Sequence, residues 1–265
     1  MTRSRWGGLV TAVTLALPLV LSQGLPAQAA SPARPYMPAV AAKAGPPAPA
    51  ARIGRPDAGG GDGCNPNRQN DFKYIRYDGW DRNPGTTVGG VYSDIYNYSP
   101  WVYYINATSS WVSNWVAIGA SSYYAQIGWL EEPHGARYIF TETFDHNGDN
   151  VRYFSPEPIN SQSYYDVLFN NTPGEFTFEV NNSVIDVSTA SFTPNFGETY
   201  GETHSHADQM PGGYNQNEYF TDTHIWYSGG WHSFSGSPYD QSPSDYGNSK
   251  PSGTELLIWD WKCPN

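Results

Sequence analysis

One uncharged amide stands inside a strand-like segment whose other residues are mostly apolar or small. The segment runs from Trp115 to Trp129, and the amide is Gln126. In an extended chain Tyr124, Gln126 and Gly128 share one face, because successive side chains point to opposite sides. A buried glutamine needs partners for its amide donors and its acceptor oxygen. The segment therefore predicts an amide that serves a reaction or an amide that lines a polar cleft.

A second segment, 200–213, carries a carboxylate and two imidazoles at alternate positions. If the chain is extended there, Glu202, His204 and His206 project from one face. The carboxylate can act as a general base, and the three side chains together can bind a divalent metal ion. The same alternation is also common in ordinary exposed strands. The residues themselves leave these three alternatives open.

The signatures of several other hydrolases are missing from the sequence. It contains no Gly-x-Ser-x-Gly motif, no His-Glu-x-x-His motif, no phosphate-binding glycine loop and no candidate nucleophilic cysteine. The candidate chemistry is therefore concentrated in the two segments above.

Taken together, the two segments resemble the glutamic peptidases, the family of the fungal eqolisins and the plant neprosins. Trp-Val-Ala-Ile-Gly at 115–119, followed by Ala-Gln-Ile-Gly-Trp at 125–129, is similar to the strand pair that carries the first catalytic residue. Gly-Glu at 201–202, followed by Gln-Met-x-Gly at 209–212, is similar to the neprosin segment that carries the second. The stretches 137–144 and 163–167 follow in the order of the family's middle strands.

The resemblance implies a specific site. Gln126 and Glu202 would be the catalytic pair, with Glu202 as the general base that activates water and Gln126 as the stabiliser of the oxyanion. Tyr124, Trp129 and Gln209 would bind the substrate. The pattern departs at 210–213, where Met-Pro-Gly-Gly replaces the neprosin Met-Gly-Ser-Gly. The implied protein is a monomeric endopeptidase that acts in acid on a polypeptide, without cofactor or metal.

The elements that must position these residues are short strands. Stretches rich in Tyr, Trp, Phe, Thr and Val alternate with Gly, Pro, Asn and Asp, and no helical stripe interrupts them. The predicted strands are 111–118, 123–130, 137–144, 163–169, 175–180, 184–187 and 256–261, with turns at 172–174 and 181–182. This pattern predicts an all-β fold, an antiparallel β-sandwich of the jelly-roll (concanavalin-like) type.

The first 29 residues have the layout of a secretory signal. Arg3 and Arg5 precede an apolar run, and Ala27–Ala29 offers the small residues at which a signal peptidase cuts. We therefore predict that the protein is secreted and extracellular, and that it does not stay in the membrane once the signal is removed.

The rest of the chain divides in two by composition. Residues 30–63 are rich in Ala, Pro and Gly and are expected to form a linker or pro-segment, and residues 64–265 are expected to form the β-sandwich. The only cysteines, Cys64 and Cys263, stand near the two ends of this second part. In an oxidising compartment such an isolated pair is expected to form one disulfide.

Charge and aromatic content bear on the partners. Residues 64–265 carry 8 Lys and Arg against 23 Asp and Glu, so nucleic acid and anionic membranes are not expected as partners. A competing hypothesis is a non-catalytic extracellular binding module, because aromatic residues such as Trp226, Trp231 and Tyr239 suit sugar rings or an extended peptide. A third hypothesis is a glycosidase or polysaccharide lyase, which needs a second catalytic acid, or a Tyr and His pair, in the groove.

Overall fold

A computed structural model describes residues 76–98, 100, 102, 104–105, 108–154, 161–170, 174–204, 208–213, 216–240 and 245–261. The expected signal sequence, the linker, and Cys64 and Cys263 with their expected disulfide lie outside these residues. Within the described ranges, no helix is both long enough and apolar enough to cross a membrane.

Most of the described chain is β-strand, as predicted. In chain order the strands are β1 (Arg76–Arg82), β2 (Val88–Tyr96), β3 (Tyr104–Ile105), β4 (Thr108–Ser109), β5 (Val112–Ala120), β6 (Tyr123–Glu132), β7 (Ala136–Asp145), β8 (Gly148–Tyr153), β9 (Gln162–Phe169), β10 (Glu175–Val180), β11 (Ser183–Thr189), β12 (Phe196–Thr203), β13 (Gly212–Gly213), β14 (Gln216–Tyr227), β15 (Gly230–Ser233), β16 (Ser237–Asp240), β17 (Tyr246–Ser249) and β18 (Leu256–Asp260). One turn of 3₁₀ helix, Pro133–Gly135, separates β6 from β7.

Two large sheets and one two-stranded sheet, β3-β4, make up the described structure. Sheet A has seven strands in the order β16-β1-β12-β5-β6-β7-β8. Sheet B has nine strands, in the order β11-β10-β9-β2-β14-β13-β18-β17 with β15 paired to β14. The single residue pair between β13 and β18 is parallel, and the other pairings that build the two sheets are antiparallel. The predicted antiparallel β-sandwich is thus confirmed.

The main apolar core lies between the two sheets and follows the alternation of side chains along each strand. In β5, Val116 and Ile118 belong to this core, whereas Trp115 and Ala117 belong to a second, smaller cluster on the outer face of sheet A. The other buried members of that outer cluster are Tyr77, Leu130, Tyr138, Phe140 and Tyr200. Sheet A is therefore covered by apolar side chains on both faces, which places its outer polar groups in a buried environment.

The predicted strands all occur, with ends that differ by one or two residues. The predicted turn at 181–182 is confirmed as well, since Asn181 and Asn182 have φ of 51° and 60°. Two successive positive φ values are what a tight two-residue hairpin requires. The central strands β2 and β14 of sheet B were not predicted, because Gly89 and Gly90 in β2 and several polar residues in β14 weaken the strand pattern.

Candidate active site

A small pocket lies on the outer face of sheet A. Gln126 of β6 and Glu202 of β12 both line it, although 76 positions separate them in the sequence. The remaining lining residues are Trp111, Ser113, Leu130, Phe140, Glu142, Val151 and Tyr153. Strand β5 pairs with β12 on one side and with β6 on the other, and this topology brings the two predicted catalytic residues to one face.

The hairpin between β5 and β6 sets the position of Gln126. Its turn includes Ser121, which has a φ of 57°. Further along the hairpin Gly128 lies opposite Trp115, and a Cβ atom at Gly128 would be 1.9 Å from the carbonyl oxygen of Asn114. The two strands approach too closely there for any other residue, so glycine at 128 is required for the pairing that places Gln126 in the pocket.

The carboxylate of Glu202 is held by two donors from β5. The Trp115 indole Nε1–H donates to Oε2 over 2.6 Å, and the Ser113 hydroxyl donates to the same oxygen over 3.4 Å. The side chain is only 1% exposed. Removing a carboxylate from water is costly unless donors replace the lost hydration, and the indole supplies a strong, directional replacement. One oxygen of Glu202 is thereby fixed in place.

The amide of Gln126 is held at its nitrogen. Nε2 donates to Oε2 of Glu142 over 2.6 Å, and the residue is 1% exposed. Oε1 is buried and has no hydrogen-bond partner among the described residues. Buried polar atoms without a partner are uncommon and frequently mark functional positions. The amide thus has one fixed end and one unused acceptor, and Nε2 retains a second hydrogen.

Glu142 is a third polar group in the pocket, and it was not predicted from the sequence. It lies directly opposite Gln126 in the β6–β7 ladder. Besides the Gln126 amide it accepts a hydrogen bond from the Tyr124 hydroxyl, over 2.6 Å at Oε1. The signal in the sequence is a lone acidic residue inside an aromatic and β-branched strand. It could be recognised only by counting residues along β6 and β7 away from the turn at 133–135, which shows that Glu142 pairs with Gln126.

Burial raises the pKa of the Glu142 carboxyl well above its usual range. The nearby negative charges of Asp149 and Glu202 and a hydrogen bond with Asp149 act in the same direction, while the hydrogen bond from Tyr124 opposes them. Burial, followed by the charge of Glu142, also raises the pKa of the Tyr124 hydroxyl, which therefore remains a donor. Glu142 is therefore expected to be protonated under acidic conditions.

The three predicted substrate-binding residues lie in different places. Tyr124 contacts the site through Glu142. Trp129 is fully buried in the core between the sheets, with the Arg137 guanidinium 4.1 Å from its ring centroid, so the structure does not bring it to the pocket. Gln209 is 2% exposed and is not among the lining residues.

The metal-binding alternative involved Glu202 together with His204 and His206. His204 stacks on Trp111 with 5.3 Å between ring centroids, and burial lowers the pKa of its imidazole. His206 lies outside the described residues. Within the part of the chain that the structure describes, no group of three or more His, Cys, Asp or Glu side chains is placed to hold a metal ion.

Known proteins resemble this chain in fold rather than in sequence. No family model and no curated protein matches the sequence. Scytalido-glutamic peptidase, solved with a transition-state analogue inhibitor, matches with a TM-score of 0.53 at 11% identity, covering 70% of this chain and 98% of that one. SCP-B, a member of the eqolisin family solved with the tripeptide Ala-Ile-His, matches with a TM-score of 0.50 at 10% identity and the same coverage.

A carbohydrate-binding module, CBM66 from Bacillus subtilis, matches over 45% of this chain with a TM-score of 0.29. The two peptidase likenesses, at 10–11% identity, show a shared sandwich fold.

Proposed function

We propose that this protein is a hydrolase of the glutamic peptidase type, in which Glu202 activates water and Gln126 stabilises the oxyanion. The observation that carries the proposal is that both side chains line one buried pocket, each held by its own partner. The motifs around the two residues and the fold shared with two glutamic peptidases support it.

The first step is the attack of water on the peptide carbonyl. Glu202 takes a proton from a bound water molecule while the water oxygen bonds to the carbonyl carbon. Trp115 and Ser113 fix one carboxylate oxygen, so the carboxylate keeps its orientation during the transfer. Because the pocket is largely closed to solvent, the charges within it interact more strongly than they would in water.

The negative charge that develops on the carbonyl oxygen needs a fixed donor. One Nε2 hydrogen of Gln126 is bound to Glu142, and the second remains for the oxyanion. In the same arrangement Oε1 can accept a hydrogen bond from the attacking water. A pre-oriented amide of this kind contributes about 3 kcal/mol to the stability of a transition state.

The second step breaks the carbon–nitrogen bond. Glu202, now protonated, gives its proton to the leaving amine nitrogen, and the oxyanion collapses to a carboxyl group. The carboxylate returns to its starting state, and one water molecule has been consumed. Gln126 remains neutral throughout, so it does not compete with Glu202 for the proton.

Glu142 supports an acidic working range. Below its raised pKa the Glu142 carboxyl is neutral and places no negative charge beside Gln126. As the pH rises, Glu142 ionises beside Gln126 and adds a second negative charge where the oxyanion must form. Activity is therefore expected to fall on the alkaline side as Glu142 ionises, and on the acidic side as Glu202 becomes protonated.

A glycosidase is the second candidate, because Glu142 provides the second carboxyl group that such an enzyme requires. The contacts of Glu142 favour the peptidase. Both of its oxygens accept side-chain hydrogen bonds, from Tyr124 and from Gln126, so the group orients an amide. A glycosidase needs both carboxyl groups turned towards the glycosidic bond.

The test is digestion of a denatured protein between pH 3 and pH 6 by wild type and by Glu202→Gln. Removal of the base is expected to lower the rate by about 10³-fold. The amide at 202 still offers an acceptor to the Trp115 indole, so the fold should survive, which circular dichroism would check. Glu198→Gln is the matched control, since Glu198 is a buried carboxyl on the same strand that does not line the pocket.

Equal rates for wild type and Glu202→Gln would refute the proposal. Failure of wild type to cut any peptide, combined with cleavage of a glycan that depends on both Glu202 and Glu142, would favour the glycosidase.

The site of action is part of the same proposal. The signal-like first 29 residues support secretion, and an acidic range of activity suits an extracellular peptidase. Recovery of the protein from the culture medium with residues 1–29 removed is the expected result.

A further inference from the structure

The outer face of sheet B carries a second group of chemically distinctive side chains, far from the pocket in the fold. Its centre is Tyr92 of β2. Tyr164 of β9, His224 of β14 and Trp231 of β15 surround that ring with centroids 5.0, 5.0 and 4.7 Å away. We call these four rings, together with Asp166, the aromatic face. Because the rings come from four strands of one sheet, their arrangement does not depend on a loop.

Asp166 is the polar member of the aromatic face. It lies opposite Tyr92 in the β2–β9 ladder, and Tyr164 donates to its Oδ2 over 3.2 Å. The residue is only 4% exposed, and Oδ1 has no hydrogen-bond partner among the described residues. A carboxyl group buried on an outer face with an unused oxygen is an unfavourable arrangement in the free protein. A ligand hydroxyl would satisfy that oxygen.

We propose that the aromatic face binds an uncharged polysaccharide chain, with Trp231 stacking on a sugar ring and Asp166 accepting a sugar hydroxyl. This binding site is independent of the pocket on sheet A, and the proposal does not rest on the peptidase proposal.

The indole of Trp231 is the stacking surface. It is 37% exposed. The absence of a side chain at Gly90 gives it room, because a Cβ atom there would be 3.2 Å from the indole Cη2. Trp226 packs against its edge, with 5.5 Å between centroids at 75°. The indole is therefore fixed on the sheet, and its exposed part can stack on a flat, partly apolar ligand such as a pyranose.

The charges on this face argue for a neutral ligand. Asp94, Glu179 and Asp222 act on its tyrosine and carboxyl groups as neighbouring negative charges, so an anionic polysaccharide would be repelled. His224 stacks on the Tyr92 ring at an interplanar angle of 26°, which leaves less of that ring free to bind a cation. Burial and Glu179 raise the pKa of Asp166 to about 7, so in mild acid this carboxyl is a neutral hydrogen-bonding group.

The experiment measures retention of the full protein on insoluble cellulose, β-1,3-glucan and chitin at pH 5. Wild type should bind at least one of them. Trp231→Ala should weaken retention at least tenfold, Trp231→Phe should weaken it less, and Asp166→Asn should weaken it without loss of fold. Trp261→Ala is the matched control, because Trp261 is a similarly exposed tryptophan, at 43%, outside the aromatic face. Glu202→Gln should bind as wild type does, whether or not it cleaves peptides.

Three results would overturn the proposal. The first is no retention of wild type on any of the three glycans. The second is retention that Glu202→Gln abolishes and Trp231→Ala leaves intact, since that would place binding in the pocket. The third is binding of polylysine in place of glycan, removed by salt, which would identify a basic peptide as the ligand. Should Trp231→Ala fail to fold, Trp231→Phe and Asp166→Asn carry the same test.

Discussion

The same two-residue unit, a tyrosine that donates to a buried carboxyl group, occurs on the outer faces of both sheets. On sheet A it is Tyr124 and Glu142, and on sheet B it is Tyr164 and Asp166. In both places burial is the main cause that raises the pKa of the carboxyl. The difference is the other oxygen of the carboxyl group. In Glu142 it binds the Gln126 amide, whereas in Asp166 it has no partner among the described residues.

The two tyrosine–carboxyl pairs differ in their surroundings. The outer face of sheet A is covered by its own apolar cluster, so its polar groups find partners within the protein. The rings on the outer face of sheet B are partly exposed, and the buried carboxyl group beside them keeps one oxygen without a hydrogen-bond partner among the described residues. Coverage of the sheet, rather than the type of residue, thus makes the two environments different.

After Glu202→Gln, the largest effect on the rate of peptide cleavage is expected from Gln126→Ala. Loss of a fixed oxyanion donor should lower the rate of peptide cleavage by about 10²–10³-fold, while glycan retention stays unchanged. Gln162→Ala is the control, because Gln162 is a glutamine on sheet B whose side-chain amide donates to the Thr221 hydroxyl over 2.7 Å. Equal rates for wild type and Gln126→Ala, measured at acid pH, would remove the amide from the mechanism.

The next effect concerns stability. The pKa of Asp166 is about 7 in the folded protein and near 4 in an unfolded chain. Its contribution to stability is therefore fully present below about pH 4 and is lost as the pH rises through 7. Buried Asp78, Glu142 and Glu218 have raised pKa values too, chiefly from burial, and act in the same sense. Urea unfolding should consequently show a more stable protein at pH 4 than at pH 8.

Asp166→Asn isolates one part of that trend. The variant should lose up to about 4 kcal/mol of the difference between pH 4 and pH 8, because an amide does not titrate. The neighbouring groups that face this position, Glu179 and Tyr164, stay in place in the variant. A wild type that is more stable at pH 8, or a variant with the same pH dependence, would contradict the assignment of Asp166 as a buried, mostly protonated carboxyl.

Part of the fold and site could be predicted from the sequence because the signals are local. Strands such as β10, whose inward Phe176 and Phe178 alternate with Thr177, carry their own pattern. Gln126 stood out because a single amide interrupts an apolar segment, and Glu202 stood out because it alternates with two histidines. The prediction that both belong to one site came from the order of the motifs.

The rest depends on contacts between strands that a sequence does not display. The Trp115 indole reaches Glu202 only because β5 lies between β6 and β12. Glu142 joins the site only through its register with Gln126. Trp129 was assigned to the substrate from the motif, but its place in the alternation of β6 turns it into the core. Trp231 was named from the sequence as a residue that suits sugar rings, but its grouping with Tyr92, Tyr164 and His224 was not predicted, because the four rings come from four strands.

The smallest effect is expected from Glu142→Gln, and it compares the two tyrosine–carboxyl units directly. The amide at 142 can still accept from Gln126, so acid activity should fall by only about tenfold, the lower end of the loss seen when groups that orient a reacting residue are changed. The group that ionises beside the oxyanion is gone, so the alkaline limb of the pH–rate profile should move to higher pH. Asp166→Asn, the equivalent change on sheet B, should leave that profile unchanged. If Glu142→Gln instead abolished activity at every pH, Glu142 would take part in the reaction itself, and the glycosidase-like arrangement of two reacting carboxyl groups would have to replace the Gln126–Glu202 pair.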